Sequence, residues 1–123
     1  MLNLAAVAAG GALGALARYW VSGLLYKHMG TWLPYGTLGV NVLGSLLMGA
    51  VFVLVQQRAV PDAWRLALAV GLLGAFTTFS TFSIDTLILF QQGAMARAVL
   101  NVFASVALCL TAAAVGMALG RSL

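Results

Sequence analysis

Charge is the scarcest feature of this chain: its 123 residues include six Lys or Arg, two Asp or Glu and one His, so 7% are charged against 63% hydrophobic. So few charges cannot clothe a water-soluble domain of this length, which excludes one. Lipid as solvent removes the difficulty. The net charge of +4 is scattered over both ends and the loops. It forms no basic stripe, so nucleic acid is excluded as a partner. Cysteine occurs once, as Cys109 in an apolar run, so one chain holds neither a disulfide nor a Cys-based metal site. His28 stands alone and lacks partners for a metal or a proton relay. Paired carboxylates, a nucleophile with a base and metal-ligand clusters are all missing, which argues against an enzyme. No alternation of apolar and polar residues suggests barrel strands. There is no linker, low-complexity tract or convincing repeat.

What is present is apolar sequence in long runs. A helix of about 20 mostly apolar residues crosses a bilayer, and four such spans fit, over 2–26, 35–55, 63–90 and 94–120. They make residues 1–123 a single all-α transmembrane domain. The opening MLNLAAVAAGGALGALARYW lacks a basic leader and stays apolar, so it is taken as the first span; a retained signal peptide is the alternative. The connection Lys27–Leu33, followed by Pro34, carries Trp32, and Pro61–Asp62 suits a helix start near Trp64; both tryptophans suit a membrane interface. Gln91, Gln92 and Gly93 separate the last two spans.

The two sides of the membrane are almost equally basic. Arg58, Arg65 and Arg121 fall on one side, and Lys27 and Arg97 on the other, joined by Arg18 if it snorkels that way. The positive-inside rule then favours neither orientation. Such a chain can insert both ways and form antiparallel dimers, or one orientation can prevail through other features. Polar residues inside the spans, among them Arg18, Asn41, Thr77, Thr78, Ser80, Thr81, Ser83, Asn101 and Ser105, exceed what four thin helices can hide. Oligomerisation covers them economically. Small residues four apart, Gly10/Gly14, Ser45/Gly49 and Gly116/Gly120, permit close helix approach.

The third span holds the unusual segment GLLGAFTTFSTFS at 71–83, crowded with hydroxyls and phenylalanines behind two glycines. Hydroxyls that bond back to carbonyls bend helices. A broken helix at mid-membrane is tolerated where protein or a watery cavity receives the freed backbone groups; a continuous helix packing its hydroxyls on a neighbour is the alternative. Freed carbonyls suit a cation. Hydroxyls and N–H groups suit an anion, and so does the positive edge of a phenylalanine ring. The segment has no ionisable group before Asp85, so a proton relay is badly served.

Gly10-Gly11-x-x-Gly14-x-x-x-Arg18-Tyr19, Gly36-Thr37-Leu38-x-Val40-Asn41-x-x-Gly44 and Gly71-x-x-Gly74-x-x-Thr77-Thr78-Phe79-Ser80-Thr81-Phe82-Ser83 together resemble the CrcB/Fluc fluoride channels, in order and spacing, over nearly the whole chain. The resemblance implies an antiparallel homodimer with the third helix broken near mid-membrane. It implies two pores at the subunit interface, exporting fluoride passively across the cytoplasmic (inner) membrane of a bacterium. It assigns the amide of Asn41, the ring edges of Phe79 and Phe82 and the hydroxyls of Ser80 and Thr81 to the fluoride path. It assigns Arg18 to a vestibule, although a snorkelling interfacial anchor suits that residue equally. The carbonyls of Gly74 and Thr77 from both subunits would hold a structural sodium ion. Asn101, Ser105 and Cys109 fall on the polar track of the fourth span, where a thiol is a weaker donor than a hydroxyl. Asp85 would lie near a helix end or polar interface.

A small multidrug exporter has the same size and helix count, but its mechanism needs a carboxylate in the first span. None is there. A membrane scaffold would explain the small-residue pairs but not the polar third span.

Overall fold

The computed structural model describes residues 1–123 and is entirely helical. Helix α1 runs Leu2–Met29 and α2 runs Tyr35–Gln57. The third span begins with α3, Asp62–Arg65, passes through a π-helical segment, Leu66–Leu73, and ends its first half with α4, Gly74–Phe76. Thr77 and Thr78 are extended, and the helix resumes as α5, Phe79–Gln91. Helix α6, Met95–Ser122, completes the chain. The stretches 2–29, 35–57, 62–91 and 95–122 are each long and apolar enough to cross a membrane.

Helix ends follow local chemistry. Helix α1 continues through Lys27, His28 and Met29, residues expected in the connection, before stopping at Gly30. Basic side chains are favoured in a last helical turn by the negative end of the helix dipole, and Gly30 adopts φ 83°, open chiefly to glycine. Gly93 does the same at φ 77° in the turn before α6. Pro61 precedes α3, where a missing N–H costs nothing, and Asp62 follows at the positive end of the dipole. At the other end of the bundle Arg97 donates to the Trp32 carbonyl at 3.0 Å and lies 5.9 Å from its ring centroid. That joins the α1–α2 connection to α6.

Two glycine seams hold the bundle together. Helix α1 packs most closely on the π-helical segment, and α2 on α6. A Cβ on Gly10 or Gly14 would collide with the Ala67 or Leu72 carbonyl, and Gly71 meets α1 from the other side. In the second seam a Cβ on Gly49 would strike the Ala113 carbonyl, and one on Gly116 the Leu46 carbonyl. Gly10, Gly14, Gly49, Gly116 and Gly120 thus serve packing within one chain, whereas Ser45 lines the groove described below. Backbones at this distance gain dispersion contacts and Cα–H···O bonds, the terms that drive association where lipid is as apolar as leucine.

Only 21 of 123 residues are buried, so most side chains face the surroundings of the protomer. Much of that surface is aliphatic or aromatic, including Leu13, Leu16, Trp20, Phe103 and Leu110. Those side chains suit lipid.

Candidate functional site

The site is built around the two extended residues of the third span. Thr77 has φ −88°, ψ 158° and Thr78 has φ −150°, ψ 114°, both ordinary extended backbone. Thr77 still bonds backwards: its N–H and its hydroxyl both donate to the Leu73 carbonyl, at 3.1 and 3.0 Å. Its methyl packs where Gly44 of α2 leaves room, since a Cβ there would collide with it.

Thr78 turns to other partners. Its N–H donates to Asn41 Oδ1 at 2.7 Å, and its carbonyl accepts from Asn41 Nδ2 at 2.9 Å. Its hydroxyl caps α5 by accepting the Thr81 N–H at 3.2 Å, donates to Thr81 Oγ1 at 3.1 Å and lies 3.3 Å from Ser80 Oγ. A threonine at this position supplies the oxygen that a helix start requires. Thr78 is the centre of the network, and no sequence pattern ranks it above its hydroxyl neighbours.

The Gly74 and Thr77 carbonyls are among those that lose their helical donors in this arrangement. In a regular helix the Gly74 carbonyl would accept from Thr78 N–H, and the Thr77 carbonyl from Thr81 N–H. The first of those donors turns to Asn41 and the second to the Thr78 hydroxyl.

Asn41, Thr77, Thr78, Phe79, Phe82, Ser105 and Cys109 line one groove of about 430 Å³ between α2, α5 and α6, open to the side of the bundle. The rings of Phe79 and Phe82 are tilted at 53° with centroids 5.4 Å apart, an edge-to-face type of arrangement. Phe79 is 78% exposed, a large value for a phenylalanine at the site of a polar network.

The other predicted residues fall elsewhere. Ser80 and Thr81 are exposed beside the groove, on the first turn of α5, and Gly74 is exposed just before it. Arg18 is half-buried on α1 and makes no hydrogen bond or ion pair; the one ion pair is Arg65–Asp62, at 3.4 Å on the surface. Asn101 is only 1% exposed and donates to Thr86 Oγ1 at 2.9 Å, while Thr86 donates to the Phe82 carbonyl at 2.8 Å. It tethers α6 to α5 from inside, one step away from the groove that Ser105 and Cys109 line.

A second polar cluster has no counterpart among the sequence-predicted sites. Asp85 lies in the body of α5, and Thr37 donates to its Oδ2 at 2.7 Å. The Tyr26 hydroxyl is 3.4 Å from Thr37 Oγ1, and Gly36 leaves space for the Tyr26 ring. Asp85, expected near a helix end or polar interface, lies within α5 without a cationic partner, and the polar groups beside it come from the first turn of α2 (Thr37) and the last turn of α1 (Tyr26). The available signal was the combination of Thr37 in the second-span motif and an acid within an otherwise uncharged span.

Comparison with known proteins gives a consistent result. A protein named fluoride-specific ion channel FluC from Methylococcus capsulatus is 54% identical over 123 residues, 99% of this chain; the chain spans 54% of that relative's length. The protein of the same name from Magnetococcus marinus is 51% identical over 121 residues, covering 98% of each chain. The one from a Geobacter species is 46% identical over the full length of both. The family described as CrcB-like protein, Camphor Resistance (CrcB), matches residues 5–117. With its four membrane-capable helices and this match, the chain is a multi-pass membrane protein that belongs to the CrcB family.

Proposed function

We propose that this chain is a fluoride-selective ion channel, not an enzyme, working as an antiparallel homodimer with two pores along the subunit interface. Fluoride would leave passively across the cytoplasmic (inner) membrane of a bacterium, lowering its concentration inside. The observation that carries this reading is the groove at Asn41, Phe79, Phe82 and Ser105, in a family whose relatives bear the name fluoride-specific ion channel. The groove gathers an amide, hydroxyls and two phenylalanine rings, and it contains no fixed charge.

The chemistry suits a small anion. Nδ2 of Asn41 carries two hydrogens, and the bond to Thr78 uses one of them. The Ser80, Thr81 and Ser105 hydroxyls add donors, and α5 opens toward the groove with the positive end of its dipole. Phenylalanine edges complete a lining that is electropositive without being cationic. An ion meeting such a lining exchanges hydration for many weak donors and is not trapped by a counter-charge. Chloride is larger and would gain less from the same close donors on giving up its water. Arg18 would lie at the vestibule, and Asn101 would support the track from behind.

A second copy is favoured by what one copy leaves open. Gly74, Phe79, Ser80 and Thr81 face outward, and lipid satisfies neither hydroxyls nor carbonyls. Near-even Lys and Arg placement permits the antiparallel arrangement. The Gly74 and Thr77 carbonyls, relieved of their helical donors, are chemically fit for a hard monovalent cation. Two per chain become four across a two-fold axis, enough to begin a structural sodium site that locks two broken helices together. With no carboxylate beside them a divalent ion would lack charge compensation.

The test is anion efflux from proteoliposomes holding purified protein. Fluoride is expected to leave while chloride stays. Replacing sodium by a large organic cation is expected to lower both dimer stability and fluoride efflux. Equal efflux of the two anions refutes the channel proposal, and sodium-independent assembly refutes the cation site.

A further inference from the structure

Asn41 is engaged before any ion arrives. Both ends of its amide are bonded to one residue: Oδ1 accepts the Thr78 N–H at 2.7 Å, and Nδ2 donates to the Thr78 carbonyl at 2.9 Å. That double exchange is what one residue offers another across an antiparallel sheet, and here a side chain supplies it. The backbone also fixes which way the amide faces, since an N–H only donates and a carbonyl only accepts. One turn further along α2, Gly44 receives the Thr77 methyl. Helix α2 therefore moulds both extended residues, gripping one and making room for the other.

We propose that Asn41 is a positioning residue for conduction: its amide clamps the extended Thr78 backbone and so sets the start of α5, from which Phe79, Ser80, Thr81 and Phe82 take their places. The proposal rests on the fluoride-channel reading for its functional half, and on the hydrogen bonds alone for its structural half. The chain of effect is short. Extended backbone inside a membrane persists only if its N–H and C=O are paired by protein. Thr78 has no backbone partner for its N–H, so the pairing comes from Asn41. Held there, the Thr78 hydroxyl caps the Thr81 N–H and lies within reach of both Ser80 Oγ and Thr81 Oγ1. Without the clamp the nearest satisfied alternative returns Thr78 N–H to the Gly74 carbonyl as in a continuous helix. That move would rotate α5, take the ring pair out of the groove and occupy one of the two carbonyls proposed for sodium.

The clamp predicts behaviour that a direct fluoride donor alone would not produce. The experiment compares wild type with Asn41→Leu, similar in shape but unable to pair, and Asn41→Asp, which keeps an acceptor for the Thr78 N–H but opposes the Thr78 carbonyl with a second acceptor. Backbone amide exchange across 76–81 is measured on purified dimers without fluoride, and fluoride efflux is measured per assembled dimer. In Asn41→Leu the exchange of this segment should change by about tenfold or more, with α1 and α6 unchanged. Efflux per dimer should fall by about tenfold or more, the result of leaving or re-pairing a buried backbone donor. Asn41→Asp should perturb exchange less than Asn41→Leu. A loss of yield with normal efflux per dimer would make Asn41 merely structural and overturn the proposal. Lost efflux with unchanged exchange would make Asn41 only a fluoride donor, and would also overturn it. If Asn41→Leu does not assemble, wild type decides: Thr78 N–H exchanging as fast as an unpaired amide removes the clamp, and protection equal to that of the Thr77 N–H, bonded to the Leu73 carbonyl, supports it. Wild type that passes no fluoride would defeat the channel reading while leaving the exchange result to judge the clamp.

Discussion

The two halves of the third span both leave the α-helix, and they satisfy their backbones by different means. Over Leu66–Leu73 the chain widens into a π-helix built of LALAVGLL, without one polar side chain. Its hydrogen bonds must therefore stay within the segment, and the Gly74 N–H that ends it reaches back to the Ala69 and Gly71 carbonyls. Over Thr77–Thr78 the chain becomes extended, and side chains take over: Asn41 pairs with Thr78, and the Thr78 hydroxyl caps Thr81. The first distortion is closed and leans on α1 through glycines. The second is open and lies along the groove. A membrane tolerates a distortion only when its polar groups are paired. Pairing within the backbone yields packing, whereas pairing with side chains leaves carbonyls and donors to spare, and that is where an ion site can form.

The largest effect is expected on the closed half. Gly14→Leu sets a branched side chain against the Leu72 carbonyl, which has no room to retreat. Overpacking at a backbone–backbone seam should cost about 3 kcal/mol or more, read as loss of monodisperse protein after extraction and of all efflux together. Wild-type stability in this variant would mean that the seam is loose.

A middle effect is expected where the open half begins. Thr78→Val keeps the shape and the Asn41 pairing but removes the cap on Thr81 N–H. Loss of a helix cap costs about 1 kcal/mol, up to about 2. A lowered melting temperature should accompany reduced fluoride efflux, in contrast to the total loss expected for Gly14→Leu. An unchanged melting temperature would show that the hydroxyl cap carries no weight.

The smallest effect on stability is expected at the groove wall. Phe82→Ile retains apolar bulk, so the fold should lose less than about 1.5 kcal/mol. Losing the ring edge should lower fluoride efflux, less so where the neighbouring Phe79 ring compensates. Efflux equal to wild type would make Phe82 a packing residue only.

How much of this was legible in the sequence differs from one residue to the next. The spans were legible because lipid demands long apolar runs; apolar sequence predicts a second span over 35–55, and α2 occupies 35–57. The crowding of hydroxyls in 71–83 marked the segment in which Thr77 and Thr78 are extended, because such groups are expensive in lipid without partners. The partners were not legible. Asn41 and Thr78 are far apart in sequence, and no local pattern says that one amide holds both ends of another residue's backbone. Asn101, Ser105 and Cys109 share a four-residue spacing, yet only the last two line the groove, and Asn101 is held on Thr86 instead. A helix turns about 100° per residue, so each four-residue step drifts by about 40° and the stripe slides off one face.

What the sequence determined by itself is the solvent and the material. Eight charges among 123 residues require lipid, four apolar runs require four helices, and glycines in α1 and α6 permit close seams. These follow from hydropathy and side-chain size, which are properties of residues taken singly or at helical spacing. Tertiary structure alone decided which glycines meet which carbonyls, which half of the third span widens and which opens, and that Thr37 finds Asp85 and Asn41 finds Thr78. Hydrogen bonding is directional and short-ranged, so its outcome depends on where two distant helices come to lie. No residue carries that information until the chain has packed.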